Sequence, residues 1–233
     1  MSEREKIFGR IREALRVPAP VPGAHDHKLG TEPVRAVSEA EAAKHISEWL
    51  PAVGDSFDDR VELFRANALD LKAEFHLLSN SQEIETHLRG LAATEGWKKI
   101  ASHSGELTDR ACTALVLPRL ATDENYDVNE LERCDVGVSE CDALIAQTGS
   151  VLVTSRSAGG RALSVLPPHH VVLARREQLV ADLPAAFVLL KRKYSSNYPS
   201  FISFITGPSR TGDIERVLVL GAHGPKKLTI LCV

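Results

Sequence analysis

Three polar, glycine-containing stretches carry the side chains best suited to chemistry. The stretch ITGPSRTGDIERVLVLGAHGPKKL, residues 205–228, sets Gly207, Ser209, Arg210, Thr211, Asp213, His223 and Gly224 between two apolar runs. A Gly-Pro turn followed by Ser-Arg-Thr offers two hydroxyls, a guanidinium and successive backbone N–H groups, which can form a nest for an anion. Asp213 and Glu215 stand close behind Arg210 and can fix it. His223 lies between Gly221 and Gly224, where bulk is absent. An imidazole titrates near neutral pH, so His223 is the candidate for proton transfer. The plainer alternative is a tight turn whose histidine caps a strand end. The stretch lacks the G-x-x-x-x-G-K-S/T order of a nucleotide P-loop, and no G-x-G-x-x-G dinucleotide fingerprint occurs.

The second stretch is SECDALIAQTGS, residues 139–150. Thr148, Gly149 and Ser150 offer hydroxyls and backbone N–H groups to an anion. Glu140 places a carboxylate at a presumed strand end, where partial burial would make it an acid or base. Ser139 and Asp142 match the S-x-x-D capping box, which predicts a short helix over 140–147. The third stretch is SRSAGGRALSVLPPHHVVLA, residues 155–174. Arg161 carries a planar fork suited to a carboxylate or phosphate, unless it pairs with a nearby surface acid. His169 and His170 are neighbours in a predicted strand and point to opposite faces. They cannot share a metal ion, and no metal site is predicted. One can bond to the backbone while the other faces a cleft.

The elements that must position these groups alternate between strand and helix. Strand patterns fall at 74–79, 98–102, 113–118, 135–139, 150–155, 170–174, 200–206 and 228–233. Helical patterns fall at 38–49, 59–73, after Asn80, near 105–111, at 140–147 and at 183–194. RVLVLG, residues 216–221, is expected to pair with the last strand. Such alternation predicts an α/β fold with a mostly parallel sheet. Ligands of such sheets bind outside the carboxyl ends of the strands, where the three stretches would converge. Residues 1–16 are expected to form a helical arm with Ile7, Phe8, Ile11 and Leu15 on one face. A Pro-rich linker, 17–37, separates the arm from the domain at 38–233.

The chain has 233 residues and a formal net charge of −3. No basic stripe with interleaved aromatics occurs, which excludes nucleic acid as the expected partner. No segment reaches the roughly 18 continuous apolar residues of a membrane span. The first residues lack the apolar run of a signal peptide. Cys112, Cys134, Cys141 and Cys232 form no C-x-x-C pair. They read as reduced, buried thiols, and a cytoplasmic location is expected.

Taken together, DALIAQTGSVLV, GRALSVLPPHHVVLA and GPSRTGDIERVLVLGAHGPKKLTILCV resemble the lactate-utilisation protein C family, whose core is the LUD domain. Order, spacing and position agree over most of residues 60–233. Two positions depart from the family's usual pattern: Gln147 stands where Glu is common, and Gly212 where Ala is common. The resemblance implies a Rossmann-like three-layer α/β/α sandwich similar to the NagB/RpiA/CoA-transferase group. It also implies a role in oxidising L-lactate to pyruvate beside two iron–sulfur partner proteins. The clusters are expected on those partners and no cofactor in this chain. The expected ligand is a small carboxylate or phosphate, and homo-oligomers are possible. Two alternatives stay open: an independent enzyme of phosphosugar-isomerase or CoA-transferase type using Glu140 or His223, and a non-catalytic assembly subunit.

Overall fold

A computed structural model of the chain describes residues 50–123, 125–212, 218–221 and 223–233. The expected arm, the linker, the helix at 38–49 and Asp213 lie outside these residues.

Six parallel strands form the main sheet. In spatial order they are β1 (Glu74–Leu77), β12 (Lys227–Cys232), β7 (His169–Ala174), β4 (Val136–Glu140), β2 (Ile100–Ser102) and β3 (Arg119–Ala121). The central strand β7 is buried at every residue, and β4 at all but its last. That is why β7, after its two histidines, runs apolar without alternation. A second sheet orders β8 (Leu179–Val180), β5 (Ala143–Ile145), β6 (Ser150–Thr154) and β9 (Ile202–Ile205). An antiparallel ribbon joins β10 (Arg210–Gly212) to β11 (Leu218–Leu220).

Helices cover both outer surfaces. On one face of the main sheet lie α2 (Ser81–Glu95) and α3 (Glu106–Leu115). Their Ile84, Leu88, Leu107 and Leu115 pack on Ile100, Val136, Val171 and Leu231. Asn80 caps α2 by accepting the Glu83 N–H at 3.1 Å, while the Glu83 carboxylate accepts the Ser79 N–H at 2.9 Å. The opposite face presents Val172, Ala174, Ile230 and Cys232. These meet Val61, Phe64 and Ala68 of α1 (Phe57–Asp70) and Leu144, Val151 and Val153 of the second sheet. The short α4 (Val128–Glu132) closes this side with Leu131 against Ala101 and Leu163. The outer face of the second sheet is covered by Ala186, Leu190 and Tyr194 of α5 (Leu183–Tyr194). The fold is α/β with a mostly parallel main sheet, and a small second sheet forms much of one covering layer.

Several expectations need correction. Residues 140–147 are not a helix: β4 runs to Glu140, β5 follows, and Ala146–Thr148 make a single 3-10 turn. Ser139 and Asp142 form no capping box, because each side chain has a tertiary partner described below. The strand expected at 113–118 is the end of α3, which stops at Val116 in a left-handed conformation (φ 54). The strand itself comes later, at β3. β11 pairs with β10 rather than with β12. All four cysteines are buried and none forms a disulfide. Burial pushes the Cys232 thiol up to about 11. Among the described residues no helix is long and apolar enough to cross a membrane.

Candidate functional site

Adjacent residues of β7 serve opposite layers. His169 turns to the helical side, where its ring meets Trp97 edge to face at 5.3 Å and its Nε2 bonds Thr229 Oγ1 at 2.9 Å. His170 turns to the second sheet, where its Nε2 bonds Ser139 Oγ at 2.8 Å. Both imidazoles are therefore tied to hydroxyls, and neither of these bonds is to the backbone. Burial lowers the pKa of each ring, and that of His170 falls to about 3.

A hollow of about 210 Å³ opens beside His170, at the amino ends of β7 and β12. Two close approaches build it. The loop from β6 to β7 crosses β4 at Gly137, where a Cβ would stand 2.6 Å from the Leu163 carbonyl oxygen. Across the hollow, the chain leaves β9 through Gly207 at φ 80, a conformation that L residues rarely adopt. A Cβ there would lie 2.6 Å from the Leu71 carbonyl oxygen. Three backbone bonds then fasten the turns together. Ser209 N–H donates to Pro225 O, Gly221 N–H to Ser209 O, and Lys226 N–H to Pro168 O, at 2.9, 2.9 and 2.8 Å. The polar lining comes from Ser164, His170, Ser203, Thr206, Ser209 and His223, and the apolar lining includes Val165, Ile205 and Leu228. A second hollow of about 390 Å³ shares Val165, His223 and Gly224 and reaches Glu132 and Lys226.

This arrangement gathers part of the expected set. Gly207, Ser209, His223 and Gly224 line one space. Arg210 is not part of the lining; its Nη2 lies beside Gly207, 3.0 Å from where a Gly207 Cβ would lie. Ser150 joins through a hydroxyl pair with Thr206, at 2.8 Å. The expected nest is engaged at Ser209, whose N–H already bonds Pro225. Thr211 contributes backbone to β10. Thr148 and Gly149 dock on α1 instead. Asn67 Nδ2 donates to the Ala146 and Gln147 carbonyls at 2.8 and 3.0 Å, and a Cβ at Gly149 would lie 2.8 Å from Asn67 Cβ.

Two expected groups lie elsewhere. Arg161 donates to the Ser200 carbonyl at 2.7 Å, before β9 begins, whereas Thr206 follows the end of β9. Glu140 aligns with Leu173, four residues along the strand from the His169 level. At about 3.3 Å per residue that separates it by roughly 13 Å from the hollow's end of the sheet. There it accepts the N–H groups of Leu107 and Thr108, at 2.9 and 3.3 Å, and meets Arg175 at 3.3 Å. Glu140 and His223 therefore sit at opposite ends of the main sheet. The hollow itself lies at the amino ends of its strands, not the carboxyl ends.

Sequence reasoning passed over Ser164, Ser203 and Thr206, for isolated hydroxyls carry no spacing signal. It also passed over a buried network on the second sheet. Asp142 Oδ1 accepts from Lys193 Nζ at 2.5 Å and from Tyr194 OH at 2.7 Å, and Tyr194 OH also meets Thr154 Oγ1 at 3.1 Å.

Comparison with known proteins gives a consistent family picture. The family model described as "LUD domain" matches residues 26–233. Lactate utilization protein C of Anoxybacillus flavithermus is 28% identical over 212 residues, covering 88% of this chain and 94% of that protein. An uncharacterized protein of Neisseria meningitidis serogroup B is 27% identical over 242 residues, covering 100% and 94%. The crystal structure of a DUF162 family protein from Deinococcus radiodurans superposes with a TM-score of 0.60 at 19% identity, covering 77% of this chain and 99% of that one. At that identity the likeness concerns the fold.

Proposed function

The chain belongs to the LUD domain family, and on that premise we propose that it is a subunit of a lactate-utilisation system. It holds a small carboxylate in the hollow at the amino ends of β7 and β12. The name shared by several relatives, lactate utilization protein C, supports the pathway. One observation carries the site: four hydroxyls and two imidazoles surround about 210 Å³, and the Arg210 guanidinium lies beside Gly207 in its wall. Arg210 neutralises the carboxylate, because a planar fork binds it with two parallel bonds. Thr206 and Ser209 orient it. His223 stands exposed at the mouth, where its ring can hydrogen-bond the bound acid. Oxidation of L-lactate to pyruvate removes two electrons and two protons. The electrons pass to two iron–sulfur partner proteins, the two protons pass to solvent, and this chain presents the acid to those partners.

Titration of L-lactate, pyruvate and phosphate against the protein purified with its neighbours tests the reading. Arg210→Ala is expected to weaken carboxylate binding by tenfold or more, since losing a charged hydrogen bond is worth about 1.5–3 kcal/mol. Equal affinities reject the clamp.

A second reading, a non-catalytic assembly subunit, is favoured by one observation. Glu140 and Arg161 are already engaged in internal contacts. Under it, changing both Arg210 and His223 to Ala leaves growth on lactate intact.

A further inference from the structure

Four strands end the two larger sheets: β1 and β3 in the main sheet, β8 and β9 in the second. An edge strand offers unpaired N–H and C=O groups, and folded proteins shield such edges with charge or by keeping them short. Three of the four are shielded in this way. β1 opens on the exposed carboxylate of Glu74, and β3 on exposed Arg119, which meets Asp109 at 2.8 Å. β8 has only two residues. β9 reads Ile-Ser-Phe-Ile, and residues 195–209 around it carry no charged side chain. None of its residues is buried, whereas its neighbour β6 is buried throughout.

The ladder shows which groups stand open. Ser155 N–H donates to Phe201 O, so these two residues form a hydrogen-bonded pair. Such pairs alternate with non-bonded ones along an antiparallel ladder. Ser203 and Ile205 therefore turn their backbone groups to β6, while the N–H and C=O of Ile202 and Phe204 point away from it. β9 has no second neighbour among the described residues. Ile202 is 37% exposed. The Phe204 ring lies on the α5 face, 5.5 Å from that of Phe187, which is 57% exposed and carries the apolar surface from the strand onto the helix. Phe204 also lines the hollow, although its ring is on that outer face, so the hollow meets its backbone.

We propose that the open edge of β9 pairs antiparallel with β9 of a second copy of this chain. The occupant follows from symmetry. A two-fold axis through Ser203 sets Ile202 of one copy opposite Phe204 of the other, so the outward N–H and C=O groups satisfy one another in both directions. The same patch serves both copies, as a two-fold contact requires. On the outer face Ile202 packs across the strands on Phe204, and the exposed ring of Phe187 joins the cluster from each side. With no charge between residues 195 and 209, nothing in the strand repels its own copy. The strand that pairs also walls the hollow, so the second copy runs along one side of it. The pairing does not depend on what the hollow binds, and its failure leaves that reading standing.

The test uses the full chain. Sedimentation over a concentration series is expected to show a monomer–dimer equilibrium. Ile202→Lys and Phe187→Ser are each expected to weaken it about tenfold or more, as a buried like charge or a lost aromatic anchor does. Amide hydrogen exchange at Ile202 and Phe204 slows as the dimer fills. Ser203→Cys reads the register. On the axis its two copies form a non-hydrogen-bonded pair with Cα atoms about 4.5 Å apart, within disulfide reach. Mild oxidation therefore links it into a covalent dimer far faster than Val116→Cys, a control position that is 88% exposed. The native cysteines are buried and do not compete. A wild type that stays monomeric at every concentration overturns the proposal. A monomer whose Ile202 and Phe204 amides are already protected assigns the edge to another segment of the same chain and overturns it too. So does a dimer that keeps its affinity in Ile202→Lys, or in which Ser203→Cys links no faster than the control. Should Ile202→Lys not fold, the exposed position in Phe187→Ser and the Ser203→Cys link decide.

Discussion

The carboxylate of Glu140 accepts the N–H of Leu107 at 2.9 Å and so closes the N-terminus of α3 from another strand. Gly105, the residue that precedes this helix, has no side chain and makes no cap of its own. Glu140 also meets Arg175 at 3.3 Å. Glu140→Gln is therefore expected to cost about 1 kcal/mol, the usual worth of a helix cap. For a domain of this size the melting temperature falls by roughly 2–4 °C. Thermal unfolding checks this. Affinity for carboxylates at the hollow should not change, since Glu140 sits at the other end of the sheet.

Asp142 gives a pH-dependent prediction. Burial alone would raise its pKa, but hydrogen bonds from Lys193, Ser157 and Tyr194 outweigh burial and leave it below the ordinary carboxyl value. A depressed folded pKa adds stability that is complete above the unfolded value. That stability is lost as pH falls through the folded one. Urea midpoints of the wild type should therefore drop as pH falls below about 4. Asp142→Asn should lose about 2 kcal/mol at pH 7, less than a fully buried pair because Lys193 is half exposed. Its own midpoint should fall less steeply in acid.

His170 also titrates between the folded and unfolded states. Its folded pKa of about 3 lies below the ordinary 6.5, so the unfolded chain binds the extra proton first as pH falls. The stability of the wild type should decline between pH 6.5 and 3, with a slope of up to about 1.4 kcal/mol per pH unit from this group. His170→Leu should flatten that part of the profile. A profile as steep as the wild type's would mean that another group sets it.

Gly137 is a test of packing. A Cβ there would press on backbone, the Leu163 carbonyl oxygen at 2.6 Å, rather than on a movable side chain. Gly137→Ala should therefore cost about 1–3 kcal/mol by overpacking. Displacing the loop that carries Ser164 and Val165 should also weaken binding at the hollow. Denaturant midpoints and the lactate titration, read together, check both.

Much of the fold was legible because burial on both faces writes itself into sequence. VLVT and HVVLA are apolar at successive positions, and β6 and β7 are buried throughout. Asn80 and Glu83 announced α2 through a local capping pattern that survives folding. Asp142 misled because the same local pattern was available, yet its actual partners lie 51 and 52 residues away. Val116 misled because apolar residues at a helix end look like a strand. It is 88% exposed and left-handed, a helix stop rather than a core position. Within the site, Ser209 and His223 were legible from the company of glycines. Which end of the sheet they occupy was not, because that depends on how the turn after β9 meets the start of β12. Ser209 and Pro225 fix that meeting by a single backbone bond.

β1 is an edge strand, and β12 is its neighbour in the sheet. Thr229 Oγ1 donates to Glu74 Oε2 across 155 residues of chain. Among the described residues the segment around Phe75 thus joins the sheet only through β12, a long closure that slows folding. A chain cut before Lys227 would be split rather than shortened. One side of β7 and the whole of β1 would be left as bare edges, inviting aggregation of the fragment.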